Sequence, residues 1–338
     1  MAEAGRVGSV LVYVGGDLVG DGLMKLPVLR ALRHAWPDAH IVWCAGKFRT
    51  AFAHELRDLV AGLVDETIEE AGFDRPLRLL LRRPLGGRRF DVVIDTQRGV
   101  PVTALVRRIR HGVFVSGAAD FLLSERRPPR GYTRPESMAG QLLDLVALAS
   151  GAPARADADL SIDPASREAA AKALPDGPRY VGFAPGAGGR HKCWPLDRFI
   201  ALADAQAGAG RVPVFILGPD EADRVAAIRA GAPSAILPAS HPGDGPPVSR
   251  SAAFTIAVGR RLAAAVANDA GAGHLLAAAD APLVSLFGPT RAAKFAPAAR
   301  RLEVVAAQDF GSDAMEAIPV DAVAVALERL VQPDARAG

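Results

Sequence analysis

Leu262-Ala263-Ala264-Ala265-Val266, then Asp269-Ala270-Gly271-Ala272-Gly273-His274, then Pro282-Leu283-Val284-Ser285-Leu286-Phe287-Gly288-Pro289-Thr290 is the stretch that decides the fold. It reads as a buried strand, a small-residue turn, an alanine-rich helix and a second buried strand. Gly271 and Gly273 let backbone amides come close to a ligand. The helix begins near Gly273, so its unpaired N–H groups and positive dipole end face the turn. Such a place suits a phosphate or diphosphate. Asp269 and His274 flank it, one an acceptor and one a potential cation. The competing reading is a tight turn in which Asp269 caps the helix.

A second glycine turn, Pro185-Gly186-Ala187-Gly188-Gly189-Arg190-His191-Lys192-Cys193-Trp194-Pro195, follows the strand Tyr180–Ala184 and precedes a helix from about Pro195 to Ala207. Its three potential cations suit a second anion contact, against the plainer alternative of a solvated basic loop. A third turn follows the strand Ser9–Val14: Gly15-Gly16-Asp17-Leu18-Val19-Gly20-Asp21-Gly22. The helix after it is expected over Leu23–Ala35, with Pro27 tolerated in its first turn. The turn is not GxGxxG, so the dinucleotide fingerprint fails. It offers Asp21 or Asp17 at the carboxyl end of a strand, where doubly wound folds place chemistry. Either could simply cap the helix.

Together the three turns resemble glycosyltransferase family nine, the heptosyltransferases of lipopolysaccharide core synthesis. Gly20-Asp21, with Pro27 six residues after the Asp, fits the family's first signature. Pro185-Gly186-Ala187 through Lys192 to Trp194-Pro195 fits the second. Asp269, Gly271, His274 and Phe287-Gly288-Pro289-Thr290 fit the third. The likeness spans roughly residues 8–330. The chain departs from it at Ala270, where the family carries Ser or Thr, and at Ala187-Gly188-Gly189, which lack the usual hydroxyls. Each hydroxyl facing a donor diphosphate represents a bond worth about 1.5–3 kcal/mol.

The resemblance implies an α/β chain of GT-B architecture, with two doubly wound, Rossmann-like domains facing a central cleft. The acceptor-binding domain is expected over residues 1–160, a linker region over 161–178 and the nucleotide-sugar domain over 179–338. The closing helix, Val320–Val331, is expected to pack back on the N-terminal domain. The resemblance further implies Asp21 as general base for an inverting displacement. Lys192, Arg190, Gly186 and the amides of Ala270, Gly271 and Gly273 would hold the departing diphosphate. Asp269 would contact the sugar or orient the loop, and His274 would support the turn or touch phosphate. Glu221, with Asp223 behind it, would receive donor sugar hydroxyls. Asp17, Lys25 and Arg98 are the acceptor-side residues. No Asp-x-Asp motif ends a strand, so neither a metal nor a cofactor is expected. ADP-heptose is the donor implied, as substrate.

Length and composition agree. At 338 residues, half of them hydrophobic, the chain suits two domains with sizeable cores. No apolar run approaches a membrane span of about 20 residues, and the start lacks the pattern of a signal peptide. Cys44 and Cys193 have no metal or CxxC spacing, which fits a reducing cytoplasm; Cys44 reads as a small core residue. Further strands are expected at Cys44's own run 40–44, at Leu63–Ile68, Asp91–Ile94, Gly112–Val115, Val212–Leu217 and Ala235–Leu237, and helices at Pro135–Ala149 and Ala165–Ala173.

Charge is uneven. Net charge is +3 overall, yet residues 74–134 hold fourteen Arg against five acids, a formal +9. Such a surface suits an anionic glycolipid acceptor or the inner face of the cytoplasmic membrane. No aromatic set interleaves the arginines, so nucleic acid is not expected. Arginine-rich composition without function is the plain alternative. Two other functions stay open at this stage: a nucleotide-sugar epimerase on the same fold, and a nucleotide-binding paralogue inactivated by its missing hydroxyls.

Overall fold

The computed structural model describes residues 7–73, 83–238 and 251–332. The chain divides into two compact units, Met1–Ser161 and Ile162–Gly338. Each is a five-stranded, wholly parallel sheet with helices between its strands.

The first unit runs β1 (Ser9–Val14), α1 (Val19–Ala35), β2 (His40–Ala45), β3 (Glu66–Ile68), β4 (Arg89–Asp95), α2 (Val100–Val106), β5 (Arg110–Ser116) and α3 (Met138–Ser150). Its strand order is β3-β2-β1-β4-β5. Val10 to Val14 are buried, as a central strand covered by helices on both faces requires. Leu11, Tyr13, Val42, Phe90, Val93 and Phe114 form one core with Cys44. Burial pushes the Cys44 thiol up to about 12, so it is an inert core residue as its strand implied.

The second unit runs α4 (Pro164–Ala173), β6 (Tyr180–Ala184), α5 (Leu196–Gly208), β7 (Val212–Phe215), α6 (Val225–Gly231), α7 (Ala252–Gly259), β8 (Leu262–Asn268), α8 (Gly271–Ala278), β9 (Leu283–Phe287), α9 (Ala292–Phe295), β10 (Leu302–Ala306) and α10 (Val320–Val331). The order is β10-β9-β8-β6-β7. Phe183, Trp194, Phe199, Phe215, Val266 and Leu286 centre its core. Helix α4 falls inside the expected linker, capped by Asp163 through Ser166 N at 2.8 Å.

Several boundaries differ from the sequence reading. Helix α1 starts at Val19 rather than Leu23, so Pro27 lies in its interior and the Leu23 carbonyl loses its helical partner. In this added first turn Gly22 is buried where a Cβ would meet Leu56 Cδ1 at 2.9 Å and Phe52 at 3.3 Å. Residues 63–65 turn instead of extending, and Ala235–Leu237 contributes a single bridge, Val214 to Ile236. Strand β10 has no counterpart in the sequence reading. Helix α10 spends its apolar face, Val323, Ala326, Leu327, Leu330 and Val331, on the core of its own unit. There Glu328 receives Arg211 through two bonds of 2.5 and 2.8 Å.

Candidate active site

In each sheet the connections leave in opposite directions from one pair of neighbouring strands. In the first unit the pair is β1 and β4; in the second it is β6 and β8. Ligands of open parallel sheets bind outside the carboxyl ends of such a pair. The three glycine turns follow β1, β6 and β8, so tertiary structure brings every expected motif to a switch point.

In the second unit Asn268, fully buried at the end of β8, ties the two turns together. Its Oδ1 accepts from Trp194 N at 3.1 Å, and its Nδ2 donates to the Pro185 carbonyl at 2.7 Å. Trp194 is itself anchored in the core, donating through Nε1 to the Ile318 carbonyl at 3.0 Å. This clamp sets Lys192 beside Asp269: Nζ lies 3.3 Å from Oδ2, which also accepts from Thr290 Oγ1 at 2.5 Å. Residues 77 and 21 positions apart thus meet around one carboxylate. Arg224 braces the turn from below, donating to the Pro185 carbonyl at 2.6 Å and lying 3.5 Å from Cys193 Sγ. Arg190 is exposed at the rim.

Helix α8 begins at Gly271, with Ala270 as its N-cap. An alanine has no side-chain acceptor, so no side chain caps the first-turn amides of Gly271 and Ala272, while Gly273 N donates to the Ala270 carbonyl at 3.0 Å. The family's hydroxyl position is therefore a helix cap in this fold, and Asp269 is not the cap. Burial pushes His274 down to about 4, against the opposing pull of Asp269, so its imidazole is neutral at physiological pH. The expected potential cation is a neutral imidazole. Glu221 donates nothing and accepts from the Gly218 amide; a Cβ on Gly186 would collide with its carboxylate. A side chain at Gly186 would displace that carboxylate. Asp223 is exposed.

In the first unit the turn after β1 is held from within. The Asp17 carboxylate is wholly buried and takes three donors: Lys25 Nζ, Trp43 Nε1 at 2.7 Å and Thr50 Oγ1 at 3.1 Å. Its backbone is bonded to Arg49 and Ala51, at 3.1 and 3.0 Å. Asp17 and Lys25 therefore form an internal ion pair that fixes the turn, and both carboxylate oxygens are occupied. Asp21 differs. It stands in the first turn of α1, half-exposed, near the positive dipole end, and Leu18 rather than Asp21 is the N-cap. Among the described residues no donor reaches its carboxylate. Next to it, after β4, Gln97 lies against Gly15 (a Cβ there would be 3.3 Å from Oε1), and exposed Arg98 donates to Gln141 Oε1. That connection is pinned by buried Asp95, which accepts from Gln97 N at 2.9 Å, Thr103 Oγ1 at 2.6 Å and Ser116 Oγ at 3.0 Å.

Sequence reasoning missed Asn268, Arg224, Trp43 and Thr50. An Asn ending an apolar strand immediately before Asp269 was the one local signal; the others meet the site only through folding.

Two parallel α/β units, one with Lys192 beside the start of α8 and one with the open carboxylate of Asp21 at its switch point, make up the architecture of a GT-B glycosyltransferase. The sequence pattern of glycosyltransferase family 9 (heptosyltransferase) matches residues 78–316, and the chain belongs to that family. The Gly20–Pro27 motif lies outside the matched span and stands on its own residues. In fold the chain is similar to the family 9 glycosyl transferase of Veillonella parvula DSM 2008, with TM-score 0.66 and 19% identity over 96% of this chain and 98% of that one. It is similar to the E. coli heptosyltransferase WaaC solved with ADP, with TM-score 0.63 and 22% identity over 95% and 99%. It also resembles E. coli ADP-heptose lps heptosyltransferase II, with TM-score 0.60 and 19% identity over 96% and 98%. A UDP-GlcNAc 2-epimerase from Methanocaldococcus jannaschii matches at TM-score 0.49 and 10% identity, too distant to bear on the reaction. No curated protein matches in sequence.

Proposed function

We propose that this glycosyltransferase moves heptose from ADP-heptose to an anionic glycolipid of the lipopolysaccharide core type, with inversion and without a metal ion. The observation that carries this reading is the meeting of Lys192, Asp269 and Thr290 beside the uncapped start of α8. A diphosphate there gains one ammonium and a set of fixed amide dipoles, which stabilise the charge that develops as the sugar–phosphate bond breaks. No metal is needed to supply that charge. Asp269 and Glu221 offer carboxylate oxygens to sugar hydroxyls. Asp21 has no competing donor among the described residues and stands half-exposed in the first turn of α1. It takes the proton of the acceptor hydroxyl as that oxygen attacks the anomeric carbon opposite the leaving ADP. The bond to ADP breaks as the new glycosidic bond forms, so configuration inverts in one step. Arg98 is the acceptor-side cation of this reading. Asp17 and Lys25 act indirectly, by holding the turn that carries Asp21.

The homologous folds solved with ADP and with a fluorinated ADP-heptose support the choice of donor, and the arginines of residues 83–134 support an anionic acceptor. The test compares thermal stabilisation by ADP, UDP, GDP and CMP, then turnover of Asp21→Asn. A shift selective for ADP, with turnover lost and donor affinity kept in the variant, is expected. Product formed from donor alone would establish the epimerase instead. Binding without turnover in the wild type would establish the inactive paralogue.

A further inference from the structure

An outer strand of a sheet leaves a row of backbone donors and acceptors without partners unless something covers it. The two sheets present four such strands: β3, β5, β10 and β7. Three are protected. Strand β3 is only three residues long. Strand β5 is covered by Glu125, whose N–H reaches the Phe114 carbonyl at 2.9 Å and whose carboxylate accepts from Phe114 N at 2.9 Å. Strand β7 carries Pro213 and is covered by Ile236, which accepts from Phe215 N at 2.9 Å and donates to the Pro213 carbonyl at 2.8 Å.

Strand β10 differs. Leu283 N bonds the Arg301 carbonyl at 2.9 Å, and the register sets Leu302 against Leu283 and Val304 against Ser285. Successive residues of a parallel strand turn their backbone groups to opposite sides. Arg301, Glu303 and Val305 therefore face β9, and Leu302, Val304 and Ala306 face outward. Among the described residues nothing bonds the outward N–H and carbonyl of Val304. The strand has no proline, lysine or bulge, and its one charge, Glu303, is drawn to Arg329 of α10 at 3.2 Å. Beside this edge lies a groove of about 420 Å³ between β10 and α10. Val304, Phe310 and Val325 line it, and these are the large apolar side chains of the second unit that stand strongly exposed among the described residues, at 40%, 41% and 53%. Scattered singly they need no explanation; gathered in one groove they mark a place of contact. The rim is acidic: Glu303, Asp309 and Asp321 against Arg329 alone. Asp309 and Asp321 meet no cation among the described residues.

We propose that β10 is a receiving strand for an extended, basic segment of a partner protein. The segment adds a strand to the five of this sheet through the outward backbone groups of Leu302, Val304 and Ala306. Its apolar side chains cover Phe310 and Val325, and its cations reach Asp309 and Asp321. Anionic partners are repelled by that rim, and a two-fold pair of copies joined through β10 would set two acidic rims against each other. Lys192, Asp269 and the start of α8 follow β6 and β8, so donor binding and strand pairing occupy different parts of the unit.

The experiment is fluorescence anisotropy of a labelled synthetic peptide of alternating lysine and valine, titrated with the full chain, with a peptide of alternating glutamate and valine as control. Two variants are compared with the wild type. Val304→Pro removes an N–H that serves no bond to β9, a place where an outer strand tolerates proline. Asp309→Lys/Asp321→Lys reverses the rim and leaves the backbone edge intact. Thermal unfolding of each variant separates loss of fold from loss of the edge. Binding of the basic peptide alone, weakened about tenfold or more in either variant, with slowed hydrogen exchange of the Val304 amide, is expected. No binding by the wild type, equal binding by both variants, or an unprotected Val304 amide in the bound state overturns the proposal. Self-association of the wild type that Val304→Pro abolishes overturns it in favour of a second copy of the chain. Binding that appears only after residues 333–338 are removed overturns it in favour of the chain's own tail.

Discussion

Lys25→Met should be among the most damaging single substitutions in the first unit, although it removes a residue outside every family signature position. The Lys25 side chain is 11% exposed and its partner Asp17 not at all. Removing one member of a buried ion pair leaves the other charge without compensation and costs about 3–5 kcal/mol. Trp43 and Thr50 still donate to Asp17, but both are neutral. For a domain of this size each kcal/mol lowers the melting temperature by about 2–4 °C, which gives a fall of roughly 6–20 °C for the first unit. Asp17→Asn should cost a similar amount, by stranding the ammonium. The double variant Asp17→Asn/Lys25→Met removes both charges while Asn keeps an acceptor for Trp43, so it should lose less than the two singles combined by about 2 kcal/mol or more. Urea and thermal unfolding followed by tryptophan fluorescence is the assay. Trp43 Nε1 is bonded to Asp17 at 2.7 Å, so its emission reports the site directly, while Trp194 reports the other unit. The two units need not unfold together, so the transitions are fitted separately. A loss below about 1 kcal/mol for Lys25→Met, or strict additivity in the cycle, would refute the reasoning: the turn would then be held by its backbone bonds and not by the ion pair.

Ala270→Ser should place an acceptor at the N-cap of α8 and raise the stability of the second unit by about 1 kcal/mol, read as a shift of about 2–4 °C in its melting; an unchanged transition would show that the cap position is already satisfied. The His274 imidazole, held near 4 in the folded chain against an ordinary 6.5, binds its proton more readily once unfolded. Its contribution to stability is therefore complete above about pH 6.5 and lost as pH falls through 4, and His274→Gln should flatten that part of the stability profile. Equal slopes for wild type and variant between those values would mean that the imidazole is hydrated.

Much of this chain was legible before folding. Apolar runs bounded by glycine and proline located β1, β6 and β9 at their observed limits, and the apolar periodicity of 320–331 located α10. Those segments are buried on the faces that their patterns announce, so local sequence and tertiary packing agree. The failures occur where the two conflict. Gly20 and Gly22 disfavour a helix by about 1 kcal/mol each, yet α1 begins at Val19; a Cβ on Gly22 would crowd Leu56 and Phe52, whereas one on Gly20 would meet open space. Strand β10 was missed because it is an edge strand with Glu303 and exposed Val304, so its pattern is not a buried run.

For the site the division is similar. The motifs themselves named Asp21, Lys192 and Asp269, since glycine turns at strand ends with those side chains carry a recognisable chemistry. What each acidic group does was decided only by the fold. Asp17 and Asp21 are four residues apart and equivalent in composition. Folding buries the first against Lys25, Trp43 and Thr50 and leaves the second without a donor among the described residues. The sequence by itself determined two parallel α/β units and the family, because local hydrophobic runs and turn residues encode strands, helices and their punctuation. Strand order, the Asn268 clamp, the neutral state of His274 and the difference between Asp17 and Asp21 depend on which distant residues meet and on how much water each loses. Those quantities exist only in the tertiary structure.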